Sequence, residues 1–128
     1  MQILFVEDDA MNRRVVRDML TIVGAEMTDA EDAQSGIDLI GARDFDVVLM
    51  DLRMPGMDGL SAIRAIRGRT DAKASVPVIV VTADTAVNLR ETCLDHGACD
   101  VISKPVAMNA LFDSIGRAIS ERGDAILL

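Results

Sequence analysis

Asp51 closes a short apolar run, Val47-Val48-Leu49-Met50, and opens onto Met54-Pro55-Gly56-Met57-Asp58-Gly59, a segment dense in turn-forming residues. Glu7 and Asp8 close a similar run, Ile3-Leu4-Phe5-Val6, while Thr82 closes Val76-Pro77-Val78-Ile79-Val80-Val81 and Lys104 follows Asp100-Val101-Ile102-Ser103. Carboxylates, a hydroxyl and an ammonium are thus delivered to the ends of separate strand-like segments. If those ends meet, the carboxylates of Glu7, Asp8 and Asp51 repel one another strongly at an intermediate dielectric, and the cluster needs a cation. Oxygen ligands with open positions for water and substrate are what Mg²⁺ prefers. Lys104 adds a mobile point charge and Thr82 a hydroxyl donor, so the set suits a phosphoryl group held beside Asp51. The expected chemistry is attack by Asp51 on phosphorus to give an aspartyl phosphate. Mg²⁺ is expected to neutralise the acceptor carboxylate and one phosphate oxygen, Lys104 to pair with a second and Thr82 to bond a third.

For the four ends to meet, the runs must be neighbouring parallel strands. Short β-branched runs bounded by turn residues read as buried strands of a parallel sheet. Between them lie stripes at helical spacing: Met11, Val15, Met19 and Val23; Ala33, Ile37 and Ile40; Leu60, Ile63 and Ile66; a weaker one from Ala86 to Leu94; and Met108, Leu111, Phe112, Ile115 and Ile119. Gly24 reads as the stop of the first helix, and His96-Gly97 as that of the fourth. Glu26 to Ala30 alternates in polarity and suits an edge strand, and Arg67 to Ser75 reads as a polar linker. Strands alternating with helices predict an α/β fold, a doubly wound (βα)5 five-stranded parallel sheet of flavodoxin-like type. Helical crossovers make the strands parallel, so all four polar ends lie on one edge, where open α/β sheets bind ligands.

The chain has 128 residues, 50% of them hydrophobic, the size of one domain with a single core. A formal charge of -8, from 13 basic against 21 acidic residues, argues against nucleic acid or an anionic membrane as direct partner. Cys93 and Cys99 are too few for a disulfide framework and read as reduced thiols. No stretch reads as a signal peptide or membrane span, which predicts a soluble cytoplasmic domain.

Glu7-Asp8, Asp51 with its Met-Pro-Gly-Met-Asp-Gly, Thr82-Ala83 and Lys104-Pro105, each at a strand end and in this order, resemble the receiver domain of two-component response regulators. The resemblance covers residues 1–121 and leaves 122–128 as a tail. It implies transfer to Asp51 from the phosphohistidine of a histidine kinase or histidine phosphotransferase, dependent on Mg²⁺, with altered contacts to a downstream protein target. It also implies Asp8 as direct metal ligand, Glu7 acting largely through water, the Arg53 backbone carbonyl as a further ligand, and a cis Lys104-Pro105 bond. Such a domain is a phosphoacceptor rather than an enzyme. Val101 stands where most members carry Tyr or Phe, so the family's aromatic switch is absent and any signal must pass through the backbone from Ala83 to Leu94 or another side chain. Arg53 and Asp84 occupy places that flank the path of hydrolytic water, and their opposite charges predict slow to moderate autodephosphorylation.

Other residues receive structural readings. Asp9 and Asp58 read as caps or turn residues, His96 as a helix-end charge, and Arg13, Arg14 and Arg17 as the solvated face of the first helix. That helix, with Met11 and Asn12 beside the acids, is also where receivers dock phosphodonor helices. A stand-alone receiver, a relay intermediate and a receiver from a hybrid kinase all fit. Two other functions share the fold class. A Mg²⁺-dependent aspartyl-phosphate phosphohydrolase would want a second acid where Arg53 stands, and a flavin binder would want a phosphate cradle where Glu7 and Asp8 stand.

Overall fold

The computed structural model describes residues 1–121; the apolar Ile126-Leu127-Leu128 of the tail lies outside them. β1 (Gln2–Val6), β2 (Glu26–Ala30), β3 (Val47–Met50), β4 (Val78–Thr82) and β5 (Asp100–Ser103) form one parallel sheet in the order β2-β1-β3-β4-β5. The helices are α1 (Ala10–Ile22), α2 (Ala33–Ala42), α3 (Gly59–Arg67), α4 (Leu89–His96) and α5 (Met108–Glu121). The predicted architecture is therefore the observed one.

Three of the helices start on an aspartate whose carboxylate accepts backbone N–H groups. Asp9 takes those of Met11 and Asn12, Asp32 that of Ser35, and Asp58 that of Ser61. These bonds hold the Asp32 and Asp58 carboxyls below the usual carboxylate range. Gly24 takes φ +75 just past α1 and donates to Thr21, as a helix stop should.

Alternation along the strands divides the core in two. Leu4, Val6, Val48, Met50, Val78 and Val80 pack with Ile40, Ile63, Ile66 and Cys93 of α2, α3 and α4. Ile3, Phe5, Val47, Leu49, Ile79 and Val81 pack with Val16, Leu20, Leu111 and Ile115 of α1 and α5. α2 comes so close to the sheet that a Cβ on Gly36 would sit 2.6 Å from Cγ2 of Val6. Full burial on both faces explains why the central strands are uninterrupted apolar runs.

Two segments differ from the sequence reading. α3 runs through Arg67, and the expected linker contains a 3₁₀ turn at Ala72–Ser75. Arg67 is folded inward: its guanidinium donates to the carbonyls of Gly97 at 2.8 and 3.0 Å and of Ala74 and Val76 at 2.7 Å. α4 begins at Leu89 rather than Ala86, because Asn88 adopts a left-handed φ of 65 and offers no side-chain cap. Neither Cys93, which is buried, nor Cys99, which is half-buried, is in a disulfide among the described residues.

Candidate functional site

The strand order reverses between β1 and β3, and at such a switch point the crossover helices leave on opposite faces and open a crevice at the carboxyl edge. The backbone fixes the rim. Asp51 N–H donates to Val6 C=O at 3.0 Å, Glu7 N–H to Ala30 C=O at 2.9 Å, and Lys104 N–H to Thr82 C=O at 2.9 Å. With β3 and β4 paired through Met50 and Val80, the ends of β1, β3, β4 and β5 stand in one row, carrying Glu7 and Asp8, Asp51, Thr82 and Lys104.

Carboxylate oxygens of Glu7, Asp8 and Asp51 lie within 4.8 Å of one another. Glu7 is fully buried and Asp51 is 4% exposed, whereas Asp8 faces solvent. Lys104 reaches between the two buried acids, its Nζ 2.6 Å from Oε1 of Glu7 and 3.3 Å from Oδ2 of Asp51. Burial and the neighbouring Asp51 push the Glu7 pKa up, against the pull of Lys104. Burial works to lower the Lys104 pKa, but Glu7 and Asp51 outweigh it and raise it. By formal count, three carboxylates against one ammonium leave two negative charges. The donor set is all oxygen, it is short of positive charge, and it opens to solvent on the Asp8 side. It fits a hard divalent cation such as Mg²⁺.

The remaining expected residues lie on the loops at the same edge. Thr82 is 2% exposed and its hydroxyl oxygen accepts the Asp84 N–H at 3.1 Å. Arg53 follows Asp51 by two residues, its N–H 3.4 Å from Oδ1 of Asp51, and its guanidinium turns outward to Asp84. Ala83 is exposed, and half-buried Val101 packs on the α2, α3 and α4 side of the sheet. The Lys104-Pro105 bond is cis. His96 ends α4 at the opposite edge, its Nδ1 bonded to the Thr92 carbonyl at 2.8 Å.

One expectation about α1 is corrected. Only Arg14 of the three arginines is fully solvated, for Arg13 is 12% exposed and Arg17 pairs with Asp29. Arg13 bonds Asp29 at 3.1 Å and the Glu7 carbonyl at 2.9 Å. Asn12, beside the acids on the same turn, donates from Nδ2 to Oε1 of Glu7 at 3.2 Å. Both were legible in principle, since they stand on the first turn of the helix that follows Glu7.

Residues 3–116 match the family model of the response regulator receiver domain. The chain belongs to that family. Among solved structures, this receiver is similar to the receiver domain of sensor histidine kinase PA1611 from Pseudomonas aeruginosa PAO1. The two are 34% identical with a TM-score of 0.84, over 93% of this chain and 97% of the other, and that structure has a magnesium ion coordinated in its active-site cleft. It is also 34% identical over 122 residues to the C4-dicarboxylate transport transcriptional regulatory protein DctD of Pseudomonas aeruginosa, covering 94% of this chain and 26% of DctD. To the sensor protein GacS of Pseudomonas syringae it is 33% identical over 112 residues, covering 86% of this chain and 12% of GacS. The chain thus spans about a quarter or less of the curated relatives named here. The receiver family disfavours the phosphohydrolase alternative, and the site agrees, since the place of a second acid is held by Arg53 with its side chain turned away. Among the described residues, no helix is long and apolar enough to cross a membrane.

Proposed function

We propose that this receiver accepts a phosphoryl group on Asp51 from the phosphohistidine of a histidine kinase or histidine phosphotransferase. The observation that carries this reading is the position of Lys104, shared between Glu7 and Asp51 at 2.6 and 3.3 Å. An oxygen of Asp51 attacks phosphorus as the P–N bond breaks, and the electron pair returns to the donor imidazole, which takes up a proton. Lys104 moves from Glu7 to a phosphoryl oxygen, a short displacement for a flexible ammonium. The Thr82 hydroxyl turns its proton toward a second oxygen, which brings Ala83 and the loop after β4 inward.

Asp8, Asp51, the Arg53 carbonyl and, through water, Glu7 would hold Mg²⁺. When bound, the ion supplies positive charge against the acceptor carboxylate and the phosphoryl oxygens. The functional unit is residues 1–121. With Val101 in place of an aromatic, the inward pull on Thr82 is passed on by the backbone from Ala83 and by α4 itself. The phosphorylated state alters contacts with a downstream protein in the cytoplasm, with the net charge of -8 disfavouring direct contact with nucleic acid or membrane. The domain is a phosphoacceptor that promotes its own phosphorylation, not a turnover enzyme.

The test is intact-mass analysis after incubation with acetyl phosphate, with and without Mg²⁺, on the native chain and Asp51→Asn. A Mg²⁺-dependent gain of one phosphoryl group that vanishes in the variant is expected. The same gain in Asp51→Asn would refute the assignment of the acceptor.

A further inference from the structure

Glu7 poses a problem that the proposed reaction makes worse. It is the most deeply buried acid of the site, at 0% exposure, and in the resting structure its Oε1 accepts from Lys104 at 2.6 Å. A buried carboxylate stripped of its partner is costly, because the lost attraction is not replaced by water. Yet the receiver reading requires Lys104 to leave Glu7 for the phosphoryl group. Something else must hold that oxygen while the ammonium is away.

Asn12 is placed to do so. Its Nδ2 donates to the same Oε1 at 3.2 Å, from the first turn of α1. That turn is fixed independently. Asp9 caps it through the N–H groups of Met11 and Asn12, and Arg13 on the same turn donates to the backbone carbonyl of Glu7 at 2.9 Å. The Asp9 N–H completes the set, 3.4 Å from Oε2 of Glu7. An amide also has the right charge. A second cation here would oppose a divalent ion, whereas a neutral donor orients Glu7 and leaves its negative charge available.

We infer that Asn12 is a positioning residue for the metal site, holding Glu7 in its ligand orientation and remaining bonded to it when Lys104 is drawn to the phosphoryl group. The inference rests on the receiver reading above. Partners that orient a ligand typically contribute about 10- to 100-fold to metal affinity. Because Asn12 acts on Glu7, a carboxylate read as acting largely through water, the lower end applies, and Asn12→Ala is expected to weaken Mg²⁺ about tenfold.

The experiment is calorimetric titration of Mg²⁺ into the wild type, Asn12→Ala and Asn12→Gln, with thermal melts of each in metal-free buffer. The expected result is a weakened Mg²⁺ affinity in Asn12→Ala, substantial recovery in Asn12→Gln, which retains an amide donor, and nearly unchanged metal-free melting temperatures. Equal affinity in the wild type and Asn12→Ala overturns the inference while leaving the receiver site intact. So does a weakened affinity that Gln leaves unrestored and that tracks a lowered metal-free melting temperature, since that pattern marks a merely structural side chain. If the wild type takes up no Mg²⁺, the reading of the site itself falls and takes this inference with it.

Discussion

Arg53 and Asp84 form a salt bridge across the mouth of the site, Nη2 to Oδ2 at 2.7 Å, joining the loop after β3 to the loop after β4. Asp84 is held from its other oxygen as well, by the Ala86 N–H at 2.9 Å, so both of its carboxylate oxygens are engaged. The Arg53 side chain is 77% exposed, which limits what the bridge can contribute. We propose that it screens the approach of water to Asp51. Arg53→Ala should therefore shorten the lifetime of the aspartyl phosphate by about two- to fivefold, and added salt should shorten it in the wild type but not in the variant. Decay followed by loss of the phosphorylated mass checks this, and an unchanged lifetime in Arg53→Ala disproves it.

Removing the metal should be visible in stability before any chemistry takes place. The acidic cluster carries two uncompensated negative charges by the count of three carboxylates against Lys104, and a bound cation relieves their repulsion. Mg²⁺ at a hundred times its dissociation constant should raise the unfolding free energy by about 2.7 kcal/mol, with a chelator returning it to baseline. Asp8→Asn, at the solvent-facing carboxylate of the cluster, should remove most of that increment. Melting curves that ignore Mg²⁺ would count against the metal site.

Asp100 sets an acid limb to the stability profile. Burial alone would push its carboxyl up, but bonds from Ser114, Arg90, Arg117 and the Val101 N–H hold it far below the usual carboxylate range. The folded state therefore favours the ionised form, so the stabilisation is complete above the ordinary aspartate pKa and drains away as pH falls below about 4. Asp100→Asn should cost about 2 kcal/mol at neutral pH. Urea unfolding at a series of pH values should show the gap from wild type narrowing on the acid side. A gap independent of pH would mean that ionisation of Asp100 is not what matters.

Gly97 and Arg67 should be energetically coupled. Gly97 has φ +116, and a Cβ there would lie 2.8 Å from Cγ of Arg67. Gly97→Ala is expected to lose about 2–3 kcal/mol, from the strained backbone and from displacing a guanidinium that serves three carbonyls. Arg67→Ala should lose a comparable amount, and the double variant less than the sum. Denaturant midpoints of the four proteins decide it; simple additivity would separate the two residues.

The strands, the edge on which they end and the five chemical groups at that edge were legible because each rests on short-range pattern. A buried parallel strand is an apolar run, and the residue after it must be at the carboxyl edge. Long cations were not legible in the same way. Arg67 looks like the start of a polar linker until the carbonyl of Gly97, 30 residues on, appears beside it, and Arg13 looks solvated until β2 brings Asp29 alongside. Asp100 opens β5 and gathers Arg90 from α4 and both Ser114 and Arg117 from α5, none of which its own segment of sequence announces. The start of α4 slipped by three residues for a local reason, the left-handed Asn88. Asn12 gave a partial signal: its place on the first turn after Glu7 sets it near that acid, but the sequence does not say which way its amide turns.

Gly36 lies on α2, outside the acidic cluster, and packs a bare backbone against Val6. Val6 is the residue before Glu7, and its carbonyl receives the N–H of Asp51. To a geneticist, Gly36 is therefore a place outside the acidic pocket where loss-of-signalling alleles are expected. A methyl at that position has nowhere to go except into the segment that carries both acids, so its phenotype would imitate a lesion at the site.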